Sequence, residues 1–232
     1  MIPAFYTYRD GLFVPQPPAI GNAISAHHNR ASIAGLLASL LCDQPEAAMQ
    51  FARLTIDFMA DAPITPLTGT AELIRNGVRL QLIEARLMAE NRLIARGTAL
   101  RVRLEDAPDA VVSTFALEAI GSPPHTAEPI ELCGPADGVT HWWRCGAQIV
   151  AGRAAHPLAR AAMIATAHPA ATTALDLSIY LTRPPEGEWL HWAMQDGEAS
   201  SPVPLLCTRL ADENGAFALA RQTLAATGNN GA

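Results

Sequence analysis

The sequence predicts an α+β fold built from two similar copies, each a long helix wrapped by an antiparallel sheet. Three observations carry this: an apolar helix in each half, four strand-like segments after each helix, and matching text between the halves at an offset of 122 to 124 residues. A helix followed by a meander of strands has to bury one face of each on the other, because neither element hides its apolar side alone.

In the first copy a short strand, "GLFVPQ" (11–16), precedes "HHNRASIAGLLASLLCD" (27–43). There Ile33, Leu36, Leu37, Leu40 and Leu41 fall at helical spacing, and Asn29 is placed to cap. The segments "QFARLTIDFMADAPI", "LTGTAELIRNG", "VRLQLIEARLMAE" and "RLIARGTALRVRL" then read as strands by alternation or by branched and aromatic content. The second copy repeats the order. "WWRCGAQIVAG" (142–152) precedes a helix over 156–168, with Leu158, Ala162, Met163 and Ala165 spaced as in a helix and Pro157 in the first turn. "ATTALDLSIYLTRPP", "EWLHWAMQDG", "VPLLCTRLADE" and "AFALARQTLAA" supply four more strands.

"FMADAPI" aligned with "YLTRPPE" sets Pro63 opposite Pro185, and "ENRLIARGTAL" aligns with "ENGAFALARQTL". A repeat of this length is too long for a solenoid unit and marks two fused copies of one small fold. The division is then 1–104, a linker over 105–138 rich in Pro, Gly and small residues, and 139–232. Side by side, the copies build within one chain what a homodimer of single copies would build.

Composition narrows the function. Half of the 232 residues are hydrophobic and 16% are charged, which suits a packed core. A net charge of −6, from 16 Lys+Arg against 22 Asp+Glu, supplies no basic stripe for nucleic acid. No stretch approaches the roughly 20 apolar residues of a membrane span, and the start lacks a signal-like run, so the expected location is the cytoplasm. Cys42, Cys133, Cys145 and Cys207 form no CxxC pair, and no zinc spacing, P-loop, GxSxG elbow or HExxH occurs. No metal and no cofactor is expected.

The strings "RLTIDFMADAPI" with "IRNGVRLQLIEARL", and "LDLSIYLTRPPEGEWLHW" with "ADENGAFALARQTL", resemble the acyl-CoA thioesterase II-like superfamily in its double hotdog form. The resemblance covers nearly the whole chain. It implies hydrolysis of an acyl thioester such as acyl-CoA, with Asp176 and Gln222 orienting and activating a water. A carboxylate can take a proton from water, and a carboxamide can bind that water. By the same resemblance the backbone at the first helix start, His28, Asn29 and Arg30, receives the charge developing on the thioester oxygen. Arg183 and first-copy arginines would meet a phosphate of CoA.

Two departures from the family pattern stand out. "HHNRA" replaces a His-Gly-Gly-like helix start, and the family's third polar residue has no match near Gly197 or Glu198. Aligning the copies sets Leu54, not Asp57, against Asp176, so one live site is expected, with Asp57 structural or facing a neighbouring strand. The alternatives are dehydration or hydration of an acyl thioester with His28 as base, and acyl or lipid binding without turnover. Exposed sheet edges make a homo-oligomer the expected assembly.

Overall fold

In the computed structural model the described residues are 2–20, 27–44, 48–104, 123, 130–133, 140–166, 172–197 and 203–226. The first copy begins with a hairpin of β1 (Ala4–Arg9) and β2 (Leu12–Pro15), then a short 3-10 turn at Pro17–Ala19. It continues with α1 (Arg30–Cys42), β3 (Gln50–Phe58), β4 (Thr68–Asn76), β5 (Leu80–Ala89) and β6 (Arg92–Val102). β7 (Ile130–Cys133) follows, then β8 (Thr140–Cys145), β9 (Gln148–Val150) and α2 (Pro157–Thr166). β10 (Thr172–Ala174), β11 (Asp176–Leu181), β12 (Trp189–Gly197), β13 (Leu205–Asp212) and β14 (Gly215–Ala226) complete the second copy.

One 11-stranded sheet runs through both copies in the order β4-β5-β6-β3-β11-β14-β13-β12-β8-β7, with β10 also on β14. The seam is the antiparallel β3–β11 ladder, centred on Thr55 opposite Ser178. Both helices lie on the inner face and pack on each other. α1 buries residues on nearly every side, among them Ile33, Ala34, Leu36, Leu37 and Leu41. That all-round burial follows from being sandwiched between the sheet and α2. At their crossing, a Cβ on Gly35 would come within 2.6 Å of Met163.

The duplication is visible in the register. Thr55 opposite Thr98 recurs 123 residues on as Ser178 opposite Arg221. Ile83 opposite Ala99 recurs as Leu206 opposite Gln222, and Thr70 opposite Arg86 as Ala193 opposite Arg209. Even a bulge repeats: the shift between Leu87 and Met88 has its counterpart between Leu210 and Ala211. On this register Arg53, rather than Leu54, is the counterpart of Asp176, and Ala99 that of Gln222.

Three local expectations change. β1 has no counterpart among the strands read from sequence, because Ala4, Phe5 and Tyr6 are all buried and leave no alternation to detect. The single strand expected over 142–152 is two: β8 extends the large sheet, while β9 pairs in parallel with β1 and so ties the two copies together. The linker also holds a strand, since β7 pairs with β8.

Gly97 shows how closely α1 sits on the sheet. A Cβ there would lie 2.8 Å from Leu37 and 2.9 Å from the Thr55 carbonyl. The backbone carbonyl cannot swing aside as a side chain can, so Gly97→Ala is expected to destabilise by about 1–3 kcal/mol, read as a lowered Tm. An unchanged Tm would mean that the α1–sheet spacing is looser than these distances.

Candidate functional site

The predicted residues gather at one end of the seam, with one exception. α1 starts there because Asn29 caps it: the side-chain oxygen accepts the Ser32 N–H at 2.6 Å, while its amide donates to the Pro18 carbonyl at 2.9 Å. The backbone N–H of Asn29 is spent on the Ala19 carbonyl, and that of His28 on the Ala62 carbonyl. Neither is therefore free to receive a thioester oxygen. Arg30 binds Asp61 at 2.8 Å and lies over the Phe58 ring at 4.8 Å.

His28 is buried at 6% exposure inside the first copy. Its Nε2 meets the Thr65 carbonyl at 3.3 Å and its Nδ1 the Tyr6 hydroxyl at 3.0 Å. A carbonyl only accepts, so a ring proton sits on Nε2, while the Tyr6 hydroxyl is shared between Nδ1 and the Ser32 hydroxyl. Burial lowers the affinity of this ring for a second proton, against the opposing pull of the Thr65 and Pro63 carbonyls. With both nitrogens engaged, His28 is a structural member of the α1 start rather than a base.

From Arg30 a chain of contacts crosses to the second copy. Phe58, beneath the Arg30 guanidinium, donates its N–H to the Leu175 carbonyl at 3.0 Å. Leu175 and Asp176 form a bulge against Thr223: the Leu175 N–H donates to the Thr223 carbonyl, and the Thr223 N–H donates to Asp176 Oδ1 at 2.5 Å instead of to a backbone carbonyl. The carboxylate thus completes a ladder that the bulge interrupts. Asp176 stands directly opposite Asp57 and shares its face of the sheet, the outer one, while Leu177 and Ile179 turn inward. Three aspartates lie at this end, and two hold arginines: Asp57 with Arg96 at 3.2 Å and Asp61 with Arg30. Asp176 accepts only the Thr223 N–H among the described residues.

Gln222, next to Thr223, faces inward opposite Leu206 and is 1% exposed. Neither its side-chain oxygen nor its nitrogen has a hydrogen-bond partner among the described residues. One strand away on the same face, Thr208 is likewise 1% exposed with its hydroxyl unpartnered. Sequence reading sought a third polar residue near Gly197 or Glu198; Gly197 stands opposite Leu206, and Glu198 lies outside the described residues. The available signal for Thr208 was its place between Leu206 and Leu210, where period two turns all three inward.

Arg183 is the exception. It follows the far end of β11, roughly 17 Å along the strand from Asp176. Its guanidinium is spent on Asp212 through two bonds, Nη1 to Oδ2 at 2.7 Å and Nη2 to Oδ1 at 2.5 Å, and on the Gly215 carbonyl. It braces the β13–β14 turn and is not brought to the site.

Comparison with known proteins agrees with this geometry at the level of fold. Residues 23–102 match the family described as acyl-CoA thioesterase N-terminal domain. A hot dog protein from Alicyclobacillus acidocaldarius is 15% identical with a TM-score of 0.68, covering 96% of each chain. An acyl-CoA thioesterase II from Mycobacterium marinum is 15% identical with a TM-score of 0.64, covering 88% of this chain and 92% of the other. The tesB protein of Mycobacterium avium subspecies paratuberculosis is 12% identical with a TM-score of 0.67, covering 94% of each. No curated protein sequence matches. The fold is thus a double hotdog over the whole chain. The family match lies in the first copy alone, and the likeness over both copies is one of fold. No helix among the described residues is long and apolar enough to cross a membrane.

Proposed function

We propose that the protein hydrolyses an acyl-CoA thioester by water attack at the end of the seam where the end of β3, beneath Arg30 of α1, meets β11 and its neighbour β14 of the second copy. Gln222 carries this reading. A buried carboxamide with neither atom bonded costs about 1–3 kcal/mol per unmet group. Such a group is expected where the missing partner is a ligand or a bound water. Gln222 holds the attacking water or the thioester carbonyl, and the Thr208 hydroxyl, one strand away on the same face, is a second polar contact. Asp176, the one aspartate here without an arginine among the described residues, turns its carboxylate from the outer face into the gap of the ladder at Thr223, the neighbour of Gln222, and from there takes the proton.

Hydration or dehydration is less well supported, because His28, the base it would use, has both ring nitrogens engaged. The test is free-thiol release from short, medium, long and aromatic acyl-CoAs. Wild type should turn over at least one class, and Gln222→Ala should lose about 10²-fold or more in kcat/KM on it. Folded wild type that binds acyl-CoA but releases no thiol from any of them would overturn hydrolysis in favour of ligand binding without turnover.

A further inference from the structure

The inner face of the second copy carries more polar side chains than water attack needs. Gln222 stands opposite Leu206, two residues before Thr208; Thr208 stands opposite Met194, two residues after Trp192; and Trp192 stands opposite His141. The steps from Gln222 to Trp192 run in one diagonal sense, so the four side chains form a stripe over β14, β13, β12 and β8. Diagonal neighbours on one face lie about 7–8 Å apart, within reach of a tryptophan ring. Trp192 is 3% exposed and stacks on the His141 ring at 5.6 Å. Its Nε1, both ring nitrogens of His141, the Thr208 hydroxyl and both amide atoms of Gln222 have no hydrogen-bond partner among the described residues.

The first copy shows that the fold does not demand polar groups there. By the 123-residue repeat the counterparts of Gln222, Thr208 and Trp192 are Ala99, Ala85 and Gly69, in the same pairings on β6, β5 and β4. Ala85 and Ala99 are buried, and a Cβ on Gly69 would come within 2.6 Å of Leu40 of α1, so there the helix fills the space. In the second copy α2 packs on β12 and β13, and its two polar side chains are engaged elsewhere. Thr166 donates to the Ala162 carbonyl at 3.0 Å, and Arg160 to the Gly187 carbonyl at 2.8 Å. Each unmet buried polar atom is a cost to folding. A stripe of them, at places where the same fold uses alanine and glycine, calls for a partner from outside the chain.

The side chains specify the chemistry of that partner. An indole N–H only donates, whereas a hydroxyl and a carboxamide both donate and accept. Gln, Thr and Trp are uncharged, so the matching atom is a neutral oxygen that accepts from Trp192 and shares a hydrogen bond with Thr208. Met194, opposite Thr208 on this face, is 38% exposed, so the stripe lies within reach of solvent at that point. We propose that the acyl group this protein takes is oxygenated along its chain: a hydroxyacyl or oxoacyl thioester whose distal oxygen is held by Thr208 and Trp192, with His141 beyond them. This rests on the hydrolase reading, which sets the thioester at Gln222 and the chain along the stripe.

Binding is measured on the full chain by isothermal titration with CoA ketone analogues, in which a methylene replaces the thioester sulfur, so that no turnover is needed. The 5- and 7-hydroxyoctanoyl analogues are compared with plain octanoyl. At least one hydroxylated analogue should bind about tenfold or more tighter than octanoyl, and Thr208→Val and Trp192→Phe should each cut that preference below about threefold. Thr208→Val keeps the shape and removes an unmet polar atom, so it should not lower the Tm, and it decides the matter if Trp192→Phe fails to fold. Equal binding of the three analogues by folded wild type, or a preference that survives Thr208→Val, overturns the proposal. A lowered Tm of Thr208→Val without any preference also overturns it and assigns these groups to structural water. A preference in binding with no thiol release from the matching thioesters would remove the hydrolase reading and leave the oxygenated ligand standing; thiol release without a preference does the reverse.

Discussion

Asp176→Asn is expected to leave the protein folded and to cut thiol release from its best acyl-CoA by about 10²–10⁴-fold, the usual span for loss of a general base. The two effects separate because the side chain has two tasks. As an acceptor it completes the bulge at Thr223, and the Asn oxygen can still accept that N–H. As the base of the proposed reaction it would have no substitute, since Asp57 and Asp61 are already paired with Arg96 and Arg30. The control is Asp57→Asn, which removes a carboxylate from the same face directly opposite and should leave the rate near wild type. Equal thiol release by Asp176→Asn and wild type, with unchanged Tm, would assign Asp176 to the ladder alone and move the base elsewhere.

The large features of the fold were legible because they rest on local, periodic signals. Two apolar helices, four strands after each, and the repeat itself all follow from patterning, and the observed 123-residue register lies inside the expected range. What was not legible depends on pairing across long separations. β1 lacks alternation because it is buried on both sides, and its parallel bond to β9 joins residues from opposite copies. The split of 142–152 into β8 and β9 has the same cause: two sheets compete for one run of apolar text.

For the site, residue types were legible but their surroundings were not. That Asp176 follows an exposed Leu175 in a bulge, and so shares the outer face with Asp57, cannot be read from the alternation of "ALDLSI", because a bulge resets it. Arg183 likewise stands in a family-like Arg-Pro-Pro string, yet its partner Asp212 lies 29 residues on, in the β13–β14 turn. A buried partner at that distance leaves no periodic trace. Thr208 was missed for the opposite reason: a lone Thr between inward Leu residues looks like ordinary strand text until its hydroxyl is found without a partner.

Arg183→Ala is expected to be the most destabilising of these substitutions, by about 3–5 kcal/mol at neutral pH, because it strands a buried carboxylate. Asp212 is 1% exposed and accepts from Arg183 twice and from the N–H groups of Glu186 and Asn214. Burial alone would raise its carboxyl; the Arg183 bonds and the two N–H groups outweigh that and hold it below the usual carboxylate range. A lowered folded value means that this group stabilises the protein fully above the ordinary carboxylate range, about 4, and less as the pH falls through the folded value. The Tm gap between wild type and Arg183→Ala should therefore be widest near pH 7 and narrow below about pH 4. At temperatures where the variant is folded, thiol release should persist with little change in KM, since the guanidinium sits at the far end of β11 from Asp176. A raised KM for acyl-CoA with an unchanged Tm would reverse the assignment and return Arg183 to phosphate binding.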